Sequence, residues 1–215
     1  MKVTGRRVGG IVIGVCLFTF VVGQASAPRA QEPQPKAQAP APKAQPRPHG
    51  QRIKVDPALV KVEDGDGVDI HWGSGDTEIV RILGIDTPEV RRLEHNLPYD
   101  QAFGPEARAF TQGAFAAATE IELLRSPTLD PYGRTLAYLF INGRNFSVMV
   151  IKARYSGETV SHYGDNGLPK EAAEITAAAK EAGANLLPFE PPHLYRARMR
   201  TLTNALKAAG QFPSN

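Results

Sequence analysis

The stretch Gly84-Ile85-Asp86-Thr87-Pro88-Glu89-Val90 places two carboxylates three residues apart around a Thr-Pro that cannot continue a regular strand. It follows directly on the apolar run Ile79-Val80-Arg81-Ile82-Leu83. Asp and Pro are ordinary punctuation at a strand end. The alternative is that the strand end is a platform, holding carboxylate oxygens for a metal ion or a proton transfer. That needs partners, and the chain offers a second acidic stretch, Val62-Glu63-Asp64-Gly65-Asp66-Gly67-Val68, with arginines at 81 and 134. Taken alone, the acidic stretch is a plain turn or a calcium loop. It is not an EF-hand, because Val68 falls where an oxygen ligand is needed and Gly75 where the closing Glu belongs. Carboxylates hold hard cations or take a proton from water, and guanidinium forks match phosphate oxygens. Two Asp, one Glu and two Arg therefore meet the needs of phosphodiester hydrolysis, which builds negative charge on the phosphoryl oxygens.

The elements that must position these groups are readable from periodicity. Val68-Asp69-Ile70-His71-Trp72 alternates like a half-buried strand, Gly73 to Asp76 is a turn, and Thr77 to Leu83 is a second strand, so a hairpin is expected. A polar loop spans Val90 to Phe103, and Gly104-Pro105-Glu106 opens a helix whose apolar positions recur at helical spacing. Ile121 to Leu124 and Arg134 to Ile141 read as further strands, and Asn142-Gly143 as a tight turn. Helices are expected over Phe146 to Ala153, Pro169 to Ala182 and His193 to Ala209. Short strands followed by helices predict an α+β arrangement, a small closed barrel with helices at its ends.

Composition sets the frame. Residues 1–27 have a positive start (Lys2, Arg6, Arg7), an uncharged apolar run from Val8 to Val22 and the small-residue triplet Ala25-Ser26-Ala27, which is the pattern of a signal peptide or an N-terminal anchor. An exported protein is expected: periplasmic, secreted, or membrane-tethered and facing outward. Residues 28–51 are rich in Pro, Ala, Gln and Lys and predict a disordered tether, with the folded part starting near Arg52. The single cysteine, Cys16, lies in the apolar segment, so the exported domain has no disulfide of its own. The five scattered histidines argue against zinc. Net charge is +3, but seven basic residues lie before Arg52, and from there on 18 basic face 21 acidic residues. Any polyanion must then be held by a local cluster rather than a basic surface.

In order along the chain, "VEDGDGV", "VRILGIDTPE", "FGPEARAF" and "DPYGRTLAYLF" resemble the staphylococcal nuclease-like, or thermonuclease, family over about Val60 to Leu187. The resemblance implies a calcium-dependent phosphodiesterase, an endonuclease, on a five-stranded OB-type β-barrel with about three helices. It implies that Asp66 and Asp86 are calcium carboxylates, that the Thr87 carbonyl is a further ligand, and that Glu89 acts on the attacking water while Pro88 sets the angle between the two acids. It further implies that Arg81 and Arg134 grip the scissile phosphate with Tyr132 beside it. Tyr163 is the candidate for base stacking. The implied partner is single-stranded DNA or RNA, and a monomer is expected. Organisation is then a 1–27 signal or anchor, a 28–51 tether, a 52–190 nuclease-like domain and a 191–215 helical extension.

The sequence departs from the family at Gly67, where a Thr is usual, at Pro131 for a common Lys, at Phe103 for a common Tyr, and over Tyr155 to Gly167. Each assignment also has a plain reading: Arg81 as the exposed member of a half-buried strand, Arg134 as a surface ion pair, Tyr163 as a turn aromatic. Two rival functions are a non-catalytic OB-type module that binds single strands and an exported phosphodiesterase with a non-nucleic-acid substrate. The stripe Arg196, Arg198 and Arg200 is read as a supplementary phosphate contact or, preferentially, as a solvated helix face.

Overall fold

The computed structural model describes residues 45–183 and 187–213. The chain divides into two units, Met1–Ala39 and Pro40–Asn215, and every described residue lies in the second. The signal or anchor expected over 1–27, Cys16 and most of the expected tether lie outside the described residues. Among the described residues no helix is long and apolar enough to cross a membrane.

Alternation of apolar and polar residues builds the central hairpin. Strands β1 (Arg52–Val55) and β2 (Val60–Val62) precede β3 (Gly67–Gly73) and β4 (Asp76–Ile82). β3 pairs antiparallel with β4 from Gly67 opposite Arg81 to Gly73 opposite Asp76, with an irregularity between His71 and Gly73. Val68, Ile70, Val80 and Ile82 point into the core, so Arg81 projects from the other face. Then come helix α1 (Gly104–Ala116), β5 (Ile121–Leu129), β6 (Thr135–Ile141), β7 (Arg144–Asn145), and helices α2 (Phe146–Lys152), α3 (Val160–Tyr163), α4 (Pro169–Ala182) and α5 (Pro192–Ala208).

The sheet runs β1-β5-β6-β4-β3-β2, with β7 paired to β6 and β4 parallel to β6. This is an OB-type α+β fold, with seven strands and five helices among the described residues where five strands and three helices plus an extension are expected. Three of the seven strands, β1, β2 and β7, are two to four residues long, too short for a period-2 signal to stand out. The sheet is curled rather than closed by hydrogen bonds. Its edges β1 and β2 are joined instead by the short turn Pro57–Leu59, capped by the Asp56 carboxylate accepting from Ala58 N at 2.9 Å. The main core fills this curl with Ile70, Ile82, Leu123, Leu139, Phe140, Phe146 and Ile175.

Two features differ from the sequence reading. The folded body begins before Arg52: Gln45 N donates to Pro127 O and Gly50 N to Arg125 O, each at 3.0 Å, and Pro48 O accepts from Arg125. This stretch forms no regular strand, so neither composition nor periodicity marks it as part of the folded body. Second, α5 is not a free extension. Tyr195 and Met199 pack with Leu97 as a small core of their own, Tyr195 Oη donates to Tyr99 O at 2.7 Å, and Thr203 Oγ1 donates to Asn96 O at 2.9 Å. The helix is thereby bound to the loop that follows Glu89.

Candidate active site

The hairpin register forces the first contact. Because Gly67 lies opposite Arg81, the acidic turn is held beside that guanidinium, and Asp66 O accepts from Ile82 N at 2.9 Å. Arg81 Nη1 ion-pairs with Asp66 Oδ1 and also donates to Asp66 O at 3.3 Å. Its Nη2 donates to Ile85 O and to Asp86 Oδ1, both at 3.0 Å. The strand end curls back through Gly84, whose φ of 82° is one that L side chains rarely adopt. One arginine thus ties together two aspartates that stand twenty residues apart in sequence.

Backbone groups complete the cradle. Asp66 Oδ2 accepts from Thr87 N at 2.6 Å, and buried Ser156 donates to Asp86 O at 3.1 Å while its Oγ accepts from Asp86 N at 2.8 Å. Glu89 is fixed by Gln101, whose Oε1 accepts from Glu89 N at 3.1 Å and whose own N donates to Glu89 O at 2.8 Å. Gly65 and Gly104 permit the close approaches: a Cβ at Gly65 would lie 2.4 Å from Thr87 Oγ1, and one at Gly104 2.1 Å from Glu89 O.

The electrostatics show crowded negative charge. Burial, and then the charge of Asp66, push the Glu89 carboxyl up to about 7 against the opposing pull of Arg196. Burial and Asp66 likewise raise Asp64, whose Oδ2 lies 3.2 Å from Arg92 Nη2. Burial alone would lower Arg81, but Asp66 and Asp86 outweigh it and hold the guanidinium above its ordinary range. Among the described residues no three His, Cys, Asp or Glu side chains form a ready metal cage. The donors that suit a hard divalent cation are the Asp66 and Asp86 carboxylates, which converge on one guanidinium, and the neighbouring Thr87 carbonyl. A cation there would relieve the same repulsion that raises Glu89 and Asp64.

The structure therefore brings Asp66, Arg81, Asp86, Thr87 and Glu89 together. Arg134 stands beside them rather than among them. Thr135 pairs with Val80 and Leu136 with Arg81, so Arg134 and Arg81 are carried on the outer face of neighbouring strands. The Arg134 guanidinium is held by Asp130, Nε to Oδ2 2.6 Å, and lies 5.8 Å from the Tyr132 ring centroid. Tyr132 is 85% exposed and Tyr163 62% exposed, the latter edge-on to His162. The α3 segment reaches the site through its backbone, with Thr159 N donating to Gly84 O at 3.1 Å.

One arginine at the site runs against the sequence reading. Arg196, read as part of a solvated helix face, is turned into the cluster. Its Nη1 and Nη2 each lie 2.9 Å from one Asp86 oxygen, and Nη1 lies 2.6 Å from Glu89 Oε1. Arg198 pairs instead with Glu190, and Arg200 is exposed. A stripe of arginines two residues apart does not say which one a helix turns inward. That depends on Tyr195 and Met199, which dock the helix.

Residues 79–187 match the family described as staphylococcal nuclease homologue. The chain belongs to that family. Among relatives of the staphylococcal nuclease homologues, an uncharacterized protein of Methanocaldococcus jannaschii is 31% identical over 144 residues, covering 57% of this chain and 67% of that one. The thermonuclease of Staphylococcus intermedius is 37% identical over 102 residues, 46% of this chain and 58% of its own length. Endonuclease YncB of Bacillus subtilis is 26% identical over 108 residues, 50% and 49% respectively. The chain thus spans about half to two thirds of these relatives. The family match ends before α5, so Arg196 lies outside it.

Proposed function

We propose that this protein is an exported nuclease that hydrolyses phosphodiester bonds of single-stranded DNA or RNA with calcium as its cofactor. The observation that carries the reading is the Arg81 bridge between Asp66 and Asp86, with Glu89 three residues further on, in a chain of the staphylococcal nuclease homologue family. Similarity to a thermonuclease and to an endonuclease supports the same reaction class.

Asp66, Asp86 and the Thr87 carbonyl would hold the ion. Bound calcium supplies positive charge next to the phosphate and a site for orienting water. Glu89, a carboxylate three residues beyond Asp86, takes the proton of the attacking water. The water oxygen bonds to phosphorus as the bond to the leaving oxygen breaks. Arg134, held through Nε by Asp130, offers a fork-shaped donor to the phosphoryl oxygens as their charge grows, and Arg81, whose Nη groups are engaged by Asp66, Ile85 and Asp86, adds its positive charge beside them. Exposed Tyr132 and Tyr163 offer faces on which unpaired bases stack. The protein acts as a monomer, soluble if the N-terminal segment is removed and membrane-attached if it is kept.

The test is incubation of the purified protein with single-stranded DNA and with RNA, in calcium and in chelator. Cleavage in calcium that stops in chelator is expected. Binding of either strand without cleavage would instead identify a binding module.

A further inference from the structure

We infer that Arg196 on α5 is a built-in counter-cation that occupies Asp86 and Glu89 until a divalent ion displaces it, so that docking of the C-terminal helix and metal binding compete for the same carboxylates. The inference rests on the calcium reading above.

Geometry carries it. Both oxygens of Asp86 accept from Arg196 at 2.9 Å, one of them also from Arg81 at 3.0 Å, and Glu89 Oε1 accepts from Arg196 at 2.6 Å. With Arg196 and Arg81 both donating to Asp86, three of its roughly four acceptor sites are taken, and a divalent ion at coordinating distance would lie against two guanidinium charges, so Arg196 and the ion oppose each other at this carboxylate. This is not the behaviour of a solvated helix face. The Arg196 side chain is 35% exposed, and the carboxylates it covers are 11% and 16% exposed.

The attachment of α5 is of a kind that can let go. The helix does not belong to the main core; its buried residues Tyr195 and Met199 form a separate small cluster with Leu97. Its other fastenings, Tyr195 to Tyr99 and Thr203 to Asn96, all go to the loop after Glu89. Release of α5 therefore leaves the β3–β4 hairpin that carries Arg81, and the turns at its ends that carry Asp66 and Asp86, packed as they are. The barrel fold supplies the site, and the helix beyond the family match sets how much cation is needed to fill it.

Calcium binding to the full chain, followed by titration calorimetry, tests this. If the Arg196-out state is the minor one, apparent affinity is reduced by its fractional population. Arg196→Ala should therefore bind calcium about tenfold more tightly than the unaltered protein. Arg196→Lys keeps a charge but loses the two-pronged grip, and should fall between them. Tyr195→Phe leaves Arg196 in place but removes one fastening of α5, so it should shift affinity in the same direction by less. It also keeps the test open if Arg196→Ala fails to fold. A purely structural Arg196 predicts the opposite sign, since losing it would disorder the site and weaken calcium. Equal or weaker binding in the Arg196 and Tyr195 variants would overturn this inference alone. No calcium binding to any of the proteins would overturn the calcium reading and the inference with it.

Discussion

Arg81 Nη2 donates to Asp86 Oδ1 at 3.0 Å across the turn that ends β4, while the Nη1 of the same guanidinium ion-pairs with Asp66 at the foot of β3. The hairpin register fixes the second contact and the Gly84 turn the first. The arginine is therefore not free to be exchanged for another cation. Arg81→Lys keeps one charge but cannot reach both carboxylates and a phosphate. Cleavage should fall by about 10²-fold or more. Single-turnover rates on an oligonucleotide check this, and a rate within a few-fold of the unaltered protein would remove Arg81 from the mechanism.

Arg134 predicts a graded result. Asp130 already holds its Nε at 2.6 Å, which orients the guanidinium without spending its Nη groups. Arg134→Lys should lower the rate by a similar order, on the order of 10²-fold. Asp130→Ala should act in the same direction, because it frees Arg134 and also removes the acceptor for Tyr132 N and Arg134 N. An Asp130→Ala protein with full activity would show that this orientation is idle.

Gly104 tests how tightly Glu89 is held. A methyl group there would lie 2.1 Å from Glu89 O and 2.8 Å from Glu89 C, both backbone atoms that cannot swing away. Gly104→Ala should therefore displace Glu89 and cut activity well before it unfolds the barrel. Thermal melting alongside cleavage rates separates the two. Loss of stability without loss of specific activity would refute the positioning role.

The barrel also carries a buried ion pair remote from the chemistry. Glu78 accepts from Arg125 Nε and Nη2 at 2.7 Å each, from Trp72 Nε1 at 2.7 Å and from Thr135 Oγ1 at 2.8 Å. Each side chain of the pair is 3% exposed. Arg125→Ala would leave the buried carboxylate with only the more distant Arg47, whose Nε lies 3.6 Å from Glu78 Oε2, at a cost approaching the roughly 3–5 kcal/mol of a broken buried pair. Burial by itself would raise Glu78, but the donors from Arg125, Thr135 and Trp72 outweigh it and hold the carboxyl below its ordinary value of 4.5. A depressed folded pKa gives stability that is present above the unfolded value and is lost as pH falls through the folded one. Chemical denaturation from pH 6 downward should show Glu78→Gln losing less stability below about pH 4.5 than the unaltered protein. Parallel curves for the two would contradict this assignment.

Much of this was legible from residue pattern. The hairpin, α1 and α4 announce themselves through alternation, a Gly-Pro start and helical spacing, and Asp66, Arg81, Asp86 and Glu89 lie on or beside those elements. What was hidden depends on contacts between distant segments. Nothing local marks Gln101 as the residue that fixes Glu89, or Ser156 as the one that clasps Asp86. Arg196 looked like one of three equivalent surface arginines. Only the docking of Tyr195 and Met199 against Leu97 turns it toward the acids. Likewise Gln45 to Gly50 reads as tether by composition, yet its backbone hydrogen-bonds to Pro127 and Arg125.

The central claim is that Asp66 and Asp86 form a calcium site that drives phosphodiester cleavage. It is tested most directly by measuring cleavage of a single-stranded DNA oligonucleotide by the full protein and by Asp86→Asn, in calcium, in magnesium and in chelator. Rapid cleavage is expected in calcium, little in magnesium, which holds its waters and demands stricter geometry, none in chelator, and none by Asp86→Asn at the same calcium concentration. Undiminished cleavage in chelator, or by Asp86→Asn, would contradict the claim.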